Sequence, residues 1–81
     1  MRAATLSSSA LGRIVYDEDA ELLTIHFRET GRYLYFDVPR PVYDALRSAP
    51  SPGRYFNQYV RGRYRCIPDP ERRRFRPAIG G

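Results

Sequence analysis

The chain has 81 residues, 42% of them apolar and 14% aromatic, and a net charge of +5 carried by fourteen arginines and no lysine against nine acids. That length builds one small domain around one core and leaves no room for a second domain or for the large buried cleft that most enzymes use. No run approaches the roughly twenty apolar residues that span a bilayer, and the first eleven residues lack the apolar stretch of a secretory signal, so a cytoplasmic protein is expected.

Cys66 is the single cysteine and His26 the single histidine. One cysteine closes no intrachain disulfide, and neither residue has the neighbours of a zinc site, so no metal or cofactor is expected. The charge is uneven. Residues 1–44 hold five arginines and seven acids, a balance of −2, and residues 45–81 hold nine arginines and two acids, a balance of +7. Residues 1–8 read as an N-terminal tail, 9–64 as the folded domain, and 65–81 as an Arg- and Pro-rich C-terminal tail with few aliphatic residues.

In chain order, residues 11–16 are β-branched and aromatic and run into the acidic Asp17-Glu18-Asp19, which reads as a strand entering a turn. Leu23, Ile25 and Phe27 then alternate with Thr24 and His26, the period-two pattern of a strand with one buried face. Residues 33–38, largely aromatic and closed by Pro39 and Pro41, form a third strand. Between the last two, a two-residue loop at Thr30-Gly31 asks a β-branched residue for positive φ. A three-residue loop asks it only of Gly31. The longer loop sets Arg28 opposite Arg32, Phe27 opposite Tyr33 and Ile25 opposite Tyr35, so both tyrosines share the face of Leu23, Ile25 and Phe27.

Two helical segments follow. Pro41 opens the first, with Val42, Tyr43, Ala45, Leu46 and Ala49 at helical spacing before Pro50. In the second, Ser51 offers a side-chain acceptor at the N-cap, Pro52 sits at the first helical position, and Tyr55, Phe56, Tyr59 and Val60 make an apolar stripe. Helices this short gain stability only by packing, which places them on the tyrosine-bearing face. The expected fold is α+β, a three-stranded antiparallel β-meander with two short C-terminal helices packed on one face.

Tyr16-Asp17, the 23–27 alternation, Gly31, Tyr33-Leu34-Tyr35, Val38-Pro39, Val42-Tyr43, Leu46, Ala49, Ser51, Gly53 and Tyr55-Phe56-Asn57 stand in an order that resembles the KTSC domain over about residues 8–64. That family takes its name from the C-terminal part of some lysyl-tRNA synthetases and also occurs as free-standing bacterial proteins. Its mark is a central Tyr-x-Tyr, matched by Tyr33 and Tyr35. The resemblance implies a small domain with no assigned reaction, for which the synthetase context suggests RNA binding.

Several residues admit two readings. Tyr33 and Tyr35 suit either a base-stacking platform or a core, and the register argument favours the core. The opposite sheet face presents Thr24, His26, Arg28, Arg32, Leu34 and Phe36, of which His26, Leu34 and Phe36 are the candidate contact positions for a partner, a second copy or a nucleobase. Arg54, Arg61, Arg63 and Arg65, with Arg32, are the candidate nucleic-acid contacts, because guanidinium groups pair with phosphate oxygens bidentately. At the helix start, Ser51 with Asn57 suits capping better than anion binding, and Gly53 suits close helix–sheet packing. No nucleophile and base, paired carboxylates or Gly-rich phosphate loop is present, so no enzymatic reaction and no small-molecule substrate are expected. Two functions remain open: an RNA-binding module working through an arginine-rich surface, or a protein-interaction module using the sheet face or basic tail against an acidic partner or in a homodimer. No membrane partner is expected.

Overall fold

A computed structural model describes residues 1–69 of the chain. Five antiparallel strands form one sheet in sequence order: β1 (Arg2–Thr5), β2 (Leu11–Asp17), β3 (Leu22–Phe27), β4 (Gly31–Tyr35) and β5 (Cys66–Pro68). Helices α1 (Arg40–Ser48) and α2 (Pro52–Tyr59) lie between β4 and β5 in the chain. The fold is therefore α+β as expected, but with two strands more than the meander of three.

Both added strands fall where tails were expected. β1 pairs with β2 from Arg2 opposite Tyr16 to Thr5 opposite Arg13, and Leu6 behind it is buried. β5 pairs with β4, Leu34 opposite Ile67 and Tyr35 opposite Cys66. Ladder hydrogen bonds use the main chain, so an edge strand exposed on most of its side chains carries no apolar alternation to detect. The remainder of the expected C-terminal tail, residues 70–81, lies outside the described residues.

The β3–β4 register also differs from expectation. Leu23 faces Tyr35, Ile25 faces Tyr33 and Phe27 faces Gly31, with Gly31 at φ 94°. The loop keeps three residues but begins one residue earlier, which slips the pairing by two. A two-residue slip preserves the face of every side chain, so hydrophobic pattern cannot detect it. Tyr33 and Tyr35 accordingly still point with Leu23, Ile25 and Phe27. β4 also ends sooner than expected, at Tyr35: Asp37 takes φ 58°, and the Val38 N–H donates to the Glu21 carbonyl at 2.9 Å.

One face of the sheet carries the core. Leu11, Ile14, Tyr16, Leu23, Ile25 and Tyr35 from the strands meet Val38, Tyr43, Leu46, Phe56 and Val60 from the helical layer. Tyr43 of α1 stacks on Tyr16 of β2, ring centres 5.2 Å apart. Phe56 of α2 meets Phe27 and Tyr35 edge-on at 5.3 and 5.8 Å. The helices thus divide the sheet, α1 over β2 and α2 over β3 and β4. Ser51 is the N-cap of α2 as expected, but its side chain caps nothing; its carbonyl accepts from Tyr55 N–H at 3.0 Å. Close packing is not what Gly53 provides either, since a Cβ there would come no nearer than 3.8 Å to Ser8 Oγ. Among the described residues no helix is long and apolar enough to cross a membrane.

Candidate nucleic-acid interface

The arginines divide by what neutralises them. Glu18 takes Arg2 and Arg40 at 3.0 Å each, and Asp44 takes Arg40 at 3.5 Å and Arg47 at 3.7 Å. Arg32 holds the largely buried Asp69 at 3.3 Å. No carboxylate among the described residues pairs with Arg13, Arg28, Arg54, Arg61, Arg63 or Arg65. Four of these six lie between residues 54 and 65, the segment singled out from sequence. Arg32, the fifth candidate, is the one whose charge is matched.

Residues 54–65 run from the helical layer round to the open sheet face. Arg54 and Arg61 are seven residues apart, hence on one side of α2 and its continuation. There both Val60 and Arg61 N–H donate to the Phe56 carbonyl, and Gly62 turns the chain at φ 75°. Arg63 donates to the Gln58 carbonyl at 3.5 Å. Arg65 reaches the open face, its guanidinium 4.6 Å over the Phe36 ring, with the Phe36 N–H bound to the Arg65 carbonyl at 2.9 Å. A cation on an aromatic face is held in orientation while keeping its N–H donors outward.

On the open face the register lines side chains into rows. Ala3, Val15, Thr24, Leu34 and Ile67 form an apolar row across all five strands. Thr5, Arg13, His26 and Arg32 form a second row, ended by Asp69, whose N–H donates to the Arg32 carbonyl at 3.0 Å. Of the three face positions expected to be open, His26 is exposed, whereas Leu34 and Phe36 are half-buried because β5 and Arg65 lie beside them. Tyr35 is buried and Tyr33 partly so: burial, and after it the Cys66 side chain, pushes the Tyr35 phenol above its ordinary range, and Tyr33 packs edge-on against Phe27 at 5.7 Å. Cys66 itself is a free, exposed thiol.

Sequence reasoning passed over Thr5, Gly12 and Arg13, which share a depression with His26, Phe27 and Arg28. The available signal was Gly12: a glycine inside an alternating strand marks a bulge, and the register does shift between Leu11 and Arg13. Among the described residues no three His, Cys, Asp or Glu side chains converge to hold a metal ion.

The sequence profile of the KTSC domain matches residues 7–64. A crystal structure of a KTSC domain protein from Yersinia pestis superposes with a TM-score of 0.81 at 37% identity, covering 84% of this chain and 96% of that one. A protein of Tsukamurella paurometabola is 37% identical over 62 residues, 76% of this chain and 92% of its own length. The lysine–tRNA ligase of Nostoc punctiforme is 35% identical over 57 residues, 70% of this chain but 10% of the ligase.

Proposed function

This chain belongs to the KTSC domain family, and from that premise we propose that it is a small non-enzymatic module that binds RNA through the phosphate backbone. The observation that carries this reading is the concentration in residues 54–65 of arginines without carboxylate partners among the described residues, while the arginines of α1 pair with Asp44 and Glu18. A guanidinium with no carboxylate beside it keeps its paired donors for phosphate oxygens, and each phosphate it neutralises releases counterions. Arg65, laid on Phe36, adds a flat cationic surface on which an unpaired base stacks. A related domain makes up a tenth of an enzyme whose name says that it joins lysine to tRNA, which supports RNA over other polyanions. The compartment we assign is the cytoplasm.

The test is binding of a single-stranded RNA and of heparin over a salt series, for the native protein and for a variant with Arg54, Arg61, Arg63 and Arg65 all changed to Gln. The native protein should prefer RNA to heparin, and the variant should bind more weakly with a salt slope smaller by about three units, roughly 0.7 per lost contact on a single strand. Unchanged affinity and slope would sink the reading. In that event the alternative gains: docking of the open sheet face onto an acidic partner or a second copy, for which the apolar row ending at the 38%-exposed Ile67 is the supporting observation.

A further inference from the structure

The second row of the open face carries chemistry that the arginines of residues 54–65 do not explain. At the bulge in β2 the register jumps from Leu11 opposite Phe27 to Arg13 opposite His26, leaving Gly12 without a partner on β3, while its carbonyl accepts from the Leu6 N–H at 2.8 Å. Around it lies an open depression of about 420 Å³ lined by Thr5, Gly12, Arg13, His26, Phe27 and Arg28. It contains two guanidinium groups, an imidazole and a hydroxyl, and among the described residues no carboxylate. The neighbouring depression on the same face, which Arg13 and His26 also line, holds Asp69 paired with Arg32. Arg13 stands on β2 and Arg28 directly follows β3, and an anion between two guanidinium groups is attracted by both.

Arg28 is already fixed. Its Nε–H donates to the Ser8 carbonyl at 2.7 Å and Nη2 to the Leu6 carbonyl at 3.3 Å, which ties the β1–β2 loop to β3. Those bonds use two of five guanidinium N–H donors, and three remain. Arg28 lies directly beside Gly12: a Cβ at that position would rest in ordinary contact with Arg28 Cγ at 3.6 Å and Cζ at 3.7 Å. Beside it, the side chains of Arg13 and His26 have no hydrogen bond or ion pair among the described residues, while their main chains pair in the sheet. The Arg28 donor fork, already held in place, needs little further ordering when an oxyanion arrives, and the unengaged side chains of Arg13 and His26 are at hand to add donors.

We propose that this depression is a phosphate-binding subsite, with Arg28 as the preset donor and Arg13 and His26 as the groups that close on the oxyanion. The same chemistry suits a phosphate of an RNA strand or a free phosphate. The site shares no residue with the 54–65 segment and stands independently of it.

The experiment is an amide-resolved NMR titration of the full chain with inorganic phosphate at constant ionic strength, then with a 5′-phosphorylated oligouridylate. Saturable shifts at Thr5, Gly12, Arg13, His26 and Arg28 are expected, with Arg13→Gln lowering phosphate affinity about tenfold, the loss of one charge-assisted hydrogen bond. The variant lacking the four arginines of residues 54–65 should keep this phosphate binding even if it loses RNA. Shifts at the same residues with the oligonucleotide, displaced by phosphate, identify strand phosphates as the source; shifts with phosphate alone identify the free anion. Because Arg28→Gln also loosens the β1–β2 loop, Arg13→Gln is the deciding variant. Unchanged affinity in Arg13→Gln, or shifts that chloride reproduces, would overturn the proposal.

Discussion

Removing one oxygen from the core tests how the helical layer is tied to the sheet. Tyr16 is 1% exposed, and its hydroxyl donates to the carbonyl of Val38, a fully buried residue on the connection into α1, at 2.5 Å. Tyr16→Phe keeps the ring, hence its stacking on Tyr43, and deletes only the donor. A buried carbonyl that loses its donor costs about 1 to 3 kcal/mol, against a total of roughly 4 to 12 kcal/mol for a domain of this length. At about 4 to 8 °C per kcal/mol for domains of this size, Tm should fall by at least several degrees. With no tryptophan in the chain, urea unfolding followed by far-UV circular dichroism is the assay, and the midpoint should drop with the m-value unchanged. Burial, ahead of the charges of Glu21 and Glu18, raises the Tyr16 phenol above its ordinary 10.0. A raised folded-state value means this stabilisation is complete below about pH 10 and is lost as pH climbs through the folded value. The gap between Tyr16→Phe and the native protein should therefore narrow above pH 10, with Tyr35 and Tyr55, also raised by burial, titrating in both. A loss below about 0.3 kcal/mol at pH 7 would show that the Tyr16 hydroxyl does not anchor Val38.

Two further perturbations separate fold from tail. Ending the chain after Tyr64 removes β5 and should cost about 2 kcal/mol or more, from the Phe36–Arg65 and Asp69–Arg32 main-chain bonds at about 1 kcal/mol each together with the cover on Leu34. Ending it after Asp69 keeps those bonds and should give a higher urea midpoint than ending it after Tyr64; equal midpoints for both truncations would remove β5 from the stability of the fold. Gly53→Ala, in the first turn of α2 with room for the added methyl, should stabilise by roughly 0.4 to 1 kcal/mol, and a lowered Tm would mean the site is tighter than the 3.8 Å spacing indicates.

Alternation in residues 11–16 and 23–27, the paired prolines and the helical stripes through Tyr43, Leu46 and Phe56 made three strands, two helices and the buried face legible before any coordinates, because each is a local pattern of apolar side chains. The same patterns were blind to β1 and β5, whose pairing runs through main-chain groups common to every residue. Blindness also extended to the two-residue slip at Gly31, which moves no side chain to another face. Arginine enrichment after residue 45 was plain composition. Which arginines of the chain are matched, among the described residues, was decided only when folding brought Asp69 to Arg32 and Glu18 to Arg40, since ion pairing depends on distances that chain order does not contain.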